Sequence, residues 1–174
     1  LEALGVKIDC TPEVIVKCIE HAHIGFMFAP MHHPAMKFVQ PIRKSLDFRT
    51  AFNILGPLAN PAGAQAQVMG VPEESLLERI AETFEILGVK RAMLVHSNGL
   101  DEISISAPTK VVELKGKKRI SYKIVPDEFG IQSPKMAELV GSNAEYNAGM
   151  IKDILLGKNR GPARDMVLLN AAAA

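Results

Sequence analysis

Gln67-Val68-Met69-Gly70-Val71, then Pro72 to Gly88, then Arg91-Ala92-Met93-Leu94-Val95-His96 follow one another within about 30 residues. The first piece is a short apolar run bounded by turn residues and reads as a strand. Pro72-Glu73-Glu74 suits a helix start, because proline's fixed φ fits the first turn and acids are favoured by the dipole. Leu76, Leu77, Ile80, Phe84 and Leu87 then mark one helical face, and Gly88 stands just past its end. Ala92 to Val95 form the continuous apolar run of a strand covered by helices on both faces. Strand, helix and strand at this spacing make a βαβ unit with parallel strands.

Downstream, Val111-Val112-Glu113-Leu114 and Ile120-Ser121-Tyr122-Lys123-Ile124 alternate in polarity and are joined through Lys115-Gly116-Lys117-Lys118. That pattern predicts a hairpin with a solvated basic turn. Helices are predicted from about Pro134 to Leu139, from Ser142 to Leu156 and from Pro162 onward. Upstream, Thr11-Pro12-Glu13 starts a helix whose stripe is Val14, Ile15, Cys18 and Ile19. Ile24 to Ala29, closed by Pro30, predicts a buried strand, and His32 opens a loop. Met36 to Leu46 carries helical spacing broken by Pro41. Ala51 to Leu55 predicts a short helix ended by Gly56-Pro57, and Asn60-Pro61-Ala62-Gly63 is a turn. The fold class is α/β, a mixed and mainly parallel sheet flanked by helices.

The 174 residues are 48% hydrophobic and 22% charged, which excludes disorder and collagen-like structure. Twenty Lys and Arg against 19 Asp and Glu leave a net charge of +1, too little field to make nucleic acid or an anionic membrane the main partner. Small molecules are the better default. No stretch approaches the roughly 18 apolar residues of a membrane span. Cys10 and Cys18 fit neither a zinc spacing nor a disulfide framework, so reduced thiols are expected. The chain opens mid-pattern at Leu1 and stops inside the apolar run Met166 to Ala174, as a piece of a larger protein would.

Four features bear on chemistry, each with two readings. His32-His33-Pro34 follows a predicted strand end, where ligand contacts collect in α/β sheets, and is otherwise one exposed and one hydrogen-bonded histidine. Arg43 and Arg49 are surface cations or bidentate clamps for a carboxylate or phosphate. Gly56 is a tight turn or a wall that a ligand approaches. Asp101-Glu102 follows the strand ending at His96, and is a solvated acid pair or a Mg²⁺ site, since Mg²⁺ takes one or two carboxylates plus substrate phosphates. The basic run Lys115 to Arg119 reads as a solvated turn, and Arg164 or Asp165 as a structural pin.

Together, Gly25-Phe26-Met27-Phe28-Ala29-Pro30, His33-Pro34-Ala35-Met36, Arg49-Thr50-Ala51-Phe52-Asn53-Ile54-Leu55-Gly56-Pro57-Leu58, Asn60-Pro61, Gly99-Leu100-Asp101-Glu102 and Gly161-Pro162-Ala163-Arg164-Asp165 resemble the anthranilate phosphoribosyltransferases. The resemblance covers essentially the whole chain and corresponds to the middle and C-terminal part of that family's large α/β domain, of the nucleoside phosphorylase/phosphoribosyltransferase type. It implies phosphoribosyl transfer from phosphoribosyl pyrophosphate to the amine of anthranilate in tryptophan biosynthesis, with Mg²⁺, by a cytoplasmic homodimer. It also implies residue roles: His33, Arg43 and Gly56 line the anthranilate site, the arginine meeting the carboxylate, while Asp101 and Glu102 hold Mg²⁺ on the pyrophosphate. No covalent nucleophile is implied.

The family's Gly-Thr-Gly-Gly-Asp phosphate loop and Lys-His-Gly-Asn segment do not occur in these 174 residues. The resemblance therefore implies one incomplete catalytic domain over 1–174, inactive by itself, with the helical domain that usually forms the dimer interface lying elsewhere. Two rivals are kept. A pyrimidine nucleoside phosphorylase of the same fold would phosphorolyse thymidine. A transferase-like nucleic-acid-binding protein would need a basic groove that a chain of charge +1 does not provide.

Overall fold

Thr11, in extended backbone, and Pro12, in the first helical position, start α1 (Pro12–Ala22) where the sequence predicts it. The Thr11 side chain bonds the Glu13 carboxyl and, with a backbone bond at Glu13, holds it below the usual carboxylate range. α1 ends as His23 turns left-handed (φ 58°) and donates its N–H to the Ile19 carbonyl at 3.0 Å. The returning chain passes close over the helix, since a Cβ on Gly25 would lie 2.8 Å from Ile19 Cγ1 and 3.1 Å from Ile15 Cγ2. Of the predicted stripe only Ile15 is buried, while Val14 and Ile19 are exposed. The computed structural model describes residues 1–32, 52–131, 134 and 136–174.

The strand predicted over 24–29 is not present. Phe26 and Phe28 do stack, ring centroids 6.5 Å apart. Yet Ile24 is 74% exposed and no described strand pairs with the segment. An apolar run becomes a strand only where a neighbour takes its backbone bonds. Here it yields to one helical turn, α2 (Ala29–His32), in place of the loop expected at His32.

The proline-broken helix expected over 36–46 lies outside the described residues. α3 (Phe52–Leu58) continues through Gly56-Pro57 instead of ending before it. Pro57 removes a single amide donor, and the helix end is still satisfied because the Ala59 N–H reaches the Leu55 and Gly56 carbonyls at 2.9 and 3.2 Å. These elements make one compact unit, Leu1–Pro61, and Ala62–Ala174 make a second.

The second unit is built on one four-stranded sheet: β1 (Ala66–Gly70), β2 (Arg91–His96), β3 (Thr109–Lys115) and β4 (Lys118–Ile124), in that spatial order. β1 and β2 are parallel, with Gln67 opposite Ala92 and Gly70 opposite Val95. A 3-10 turn (Glu74–Leu76) and α4 (Leu77–Ile86) connect them, so the predicted βαβ unit forms. β2, β3 and β4 pair antiparallel, with Val95 opposite Val111 and Lys115 opposite Lys118 across the predicted hairpin. The sheet is mixed, as expected. It is not mainly parallel among the described residues, because the hairpin adds two antiparallel pairings to the single parallel one.

Alternation along the strands sorts the two faces. Met69, Ala92, Leu94, Val112 and Leu114 share one face, and α4 packs against β2 and β3 there with Leu77, Ile80, Ala81 and Phe84 buried. Arg119 of β4 reaches Glu78 and Glu85 of α4 at 3.8 and 3.6 Å across that face. Val68, Met93, Val95, Val111, Tyr122 and Ile124 share the other, where Ile103 and the end of α6 (Leu169, Ala173) cover them. After the 3-10 segments Pro126–Phe129 and Met136–Leu139 come α5 (Ala144–Leu155), capped by Asn143 on the Tyr146 N–H, and α6 (Pro162–Ala173). Cys10 and Cys18 are free thiols. Among the described residues no helix is long and apolar enough to cross a membrane.

Candidate functional site

β2 ends at His96, and the next four residues reverse the chain at the C-terminal edge of the sheet. Asn98 (φ 43°) and Gly99 (φ 85°) are both left-handed, the signature of a type I′ turn, for which Asn-Gly is the preferred pair. Ser97 and Leu100 close it by exchanging backbone bonds at 2.9 and 2.7 Å. His96 braces the turn. Its Nδ1 lies 2.8 Å from the Val71 carbonyl, which can only accept, so Nδ1 carries the proton and Nε2 accepts from the Gly99 N–H at 3.5 Å. Ser97 Oγ donates to the Pro108 carbonyl at 3.0 Å, tying the turn to the start of β3.

The turn delivers Asp101 and Glu102 beside the end of β1. Gly70 is what permits the approach: a Cβ there would overlap the Asp101 carbonyl oxygen and come within 2.7 Å of its carbon. Glu102 is exposed as a residue, yet its carboxyl is pushed above the usual range, first by burial, then by the Asp101 charge and a hydrogen bond to the Asp101 side chain. A carboxylate crowded by a like charge is a site that a divalent cation relieves. No cluster of three or more His, Cys, Asp or Glu side chains exists among the described residues. Two carboxylates are a donor set that suits Mg²⁺, which keeps waters and takes one or two carboxylates plus substrate phosphates.

From α6, Asn170 Oδ1 accepts from the Ile103 N–H at 2.9 Å, while Nδ2 donates to the Ile103 carbonyl at 2.8 Å and to the Met166 carbonyl at 2.9 Å. A cavity of about 340 Å³ opens alongside, lined by Glu102 and Asn170 with Leu100, Leu139, Val140, Met166 and Val167. It is an apolar recess with Glu102 at its wall.

Of the five residues singled out by sequence, Asp101 and Glu102 are brought together in the second unit. His33 and Arg43 lie outside the described residues. Gly56 sits inside α3, not in a tight turn, and no described atom lies within 4 Å of the position a Cβ would take. His32 Nε2 is buried without a hydrogen-bond partner among the described residues. Arg164 and Asp165, both half-buried, pair with each other at 3.7 Å, and among the described residues a bond from this helix to the loop after β2 is made by Asn170. Sequence reasoning passes over Asn170, although an amide in the apolar run of a covered helix must find partners.

Over residues 1–174 the sequence matches the glycosyl transferase family, a/b domain. The chain belongs to this family. It is 50% identical, along its whole length, to the anthranilate phosphoribosyltransferase of Methanocorpusculum labreanum, of which it covers 51%. The crystal structure of anthranilate phosphoribosyltransferase from Thermus thermophilus superposes on this chain with a TM-score of 0.90 and 42% identity, over 99% of this chain and 51% of that one. The Saccharomyces cerevisiae anthranilate phosphoribosyltransferase in complex with PRPP and Mg gives a TM-score of 0.89 at 25% identity, over 99% of this chain and 50% of that one. The chain spans about half the length of the curated relatives it matches.

Proposed function

We propose that this chain is part of an anthranilate phosphoribosyltransferase, which moves the phosphoribosyl group of phosphoribosyl pyrophosphate onto the amine of anthranilate. The observation that carries the reading is identity of 50% sustained over all 174 residues. The acid pair at the end of β2 supplies the chemistry. In the reaction the bond from ribose C1 to the pyrophosphate oxygen breaks, the amine nitrogen bonds C1, and the amine gives up a proton. Asp101 and Glu102 would hold Mg²⁺, which would supply charge neutralisation for the departing pyrophosphate. Asp101 and Glu102 present two hard oxygen-donor groups, both on exposed residues, and Glu102 also lines the apolar recess. By resemblance to the family, His33, Arg43 and Gly56 line the anthranilate site, and the arginine meets the carboxylate to orient the amine. On this reading both compact units belong to one catalytic domain of a cytoplasmic homodimer.

Variants of the full-length protein test these roles. Arg43→Ala forfeits a charge-assisted bond of about 1.5–3 kcal/mol, so KM for anthranilate rises roughly 10- to 150-fold while KM for the donor holds. Asp101→Asn with Glu102→Gln lowers kcat and raises the Mg²⁺ concentration for half-maximal rate. An unchanged anthranilate KM removes Arg43 from the acceptor site, and a wild-type Mg²⁺ curve removes the acid pair from the metal.

A further inference from the structure

We infer that Asn170 is the positioning residue of the acid pair: its side-chain amide, anchored in α6, sets where Asp101 and Glu102 stand. The bonds run both ways at one residue, Oδ1 taking the Ile103 N–H at 2.9 Å and Nδ2 giving to the Ile103 carbonyl at 2.8 Å. An amide that grips both polar groups of a single peptide position fixes the orientation of that backbone and not only its distance. Ile103 follows Glu102 directly and is fully buried, so its backbone cannot rotate without disturbing the covered face of the sheet. A third bond, Nδ2 to the Met166 carbonyl at 2.9 Å, locks the amide to its own helix and settles which end of the side chain is nitrogen.

The other side of the pair is bounded as tightly. The Asp101 carbonyl rests on Gly70 at a separation that leaves no room for a side chain, and the closed Ser97–Leu100 turn fixes the approach from β2. Strand, turn and helix thus meet around two residues whose carboxyl groups stand side by side on exposed positions. Both Glu102 and Asn170 line the same recess, so the amide also keeps α6 at a fixed distance from the donor oxygens. Groups that orient a metal's ligands without touching the metal typically change affinity about 10- to 100-fold when removed.

The inference rests on the metal reading of the pair, and the experiment separates the two. Mn²⁺, as a paramagnetic stand-in for Mg²⁺, is titrated into the full-length protein and the free-ion resonance is followed, with no substrate present. Asn170→Ala raises the Mn²⁺ dissociation constant about 10- to 100-fold, Asn170→Ser raises it less, and in turnover the KM for anthranilate is unchanged. Asp101→Asn with Glu102→Gln abolishes the binding. If that double variant binds Mn²⁺ as the wild type does, the metal reading fails and the inference with it. If the double variant loses the metal but folded Asn170→Ala keeps wild-type affinity, only the positioning role falls. If neither Asn170 variant melts cooperatively, Asn170 serves the fold and the positioning role is likewise rejected.

Discussion

Glu102 joins a hydrogen bond, a neighbouring like charge and partial burial in one carboxyl, and all three raise it above its ordinary value of 4.5. A carboxyl whose folded value is raised contributes stability that is fully present below the unfolded value and lost as pH rises through the folded one. At neutral pH without metal the ionised pair is therefore a cost to the fold. Glu102→Gln in the full-length protein is expected to melt above the wild type at pH 7 without Mg²⁺, and the gap should close as the pH falls below 4.5. Saturating Mg²⁺ should reverse the order, because only the wild type is then stabilised by the bound ion. A variant that melts lower in metal-free buffer at pH 7 contradicts the raised Glu102 carboxyl.

At the scale of elements, β2 is the strand on which the second unit depends, lying between β1 and β3 with Leu94 wholly buried against the α4 side. Leu94→Ala should cost about 2–5 kcal/mol in urea unfolding. Arg119→Ala should cost less than about 1 kcal/mol, since its pairs with Glu78 and Glu85 are partly solvated at 3.8 and 3.6 Å. Equal costs would mean that the sheet is held to α4 by charge and not by packing. β2, α4 and the hairpin are legible in the sequence because their signals are local: a 3.6-residue stripe, an apolar run, an alternation across Lys115 to Lys118. The segment 24–29 misleads because a strand is a relation between two segments, and its apolar run carries no sign of whether a partner exists. Pro57 is no helix stop because one missing donor can be absorbed within a helix.

The same distinction holds at the site. Asp101-Glu102 announces itself by position after an apolar strand. Gly70 and Asn170 act on that pair across 31 and 67 residues of chain, through a carbonyl contact and an amide clamp that leave no periodic trace. The roles of His33 and Arg43 rest on resemblance to the family alone.

At the scale of the whole molecule, a chain spanning about half of its curated relatives carries the Asp101-Glu102 pair but neither the Gly-Thr-Gly-Gly-Asp nor the Lys-His-Gly-Asn segment of the anthranilate phosphoribosyltransferases it resembles. The isolated 174 residues are accordingly expected to show no phosphoribosyl transfer, and measurable turnover by them would mean that the donor is held without those segments. The central claim concerns the full-length protein, and the loss of anthranilate fluorescence tests it most directly. The account predicts loss only when phosphoribosyl pyrophosphate and Mg²⁺ are both present, with no phosphorolysis of thymidine under the same conditions. Unchanged fluorescence with both present, or release of thymine from thymidine, would contradict it.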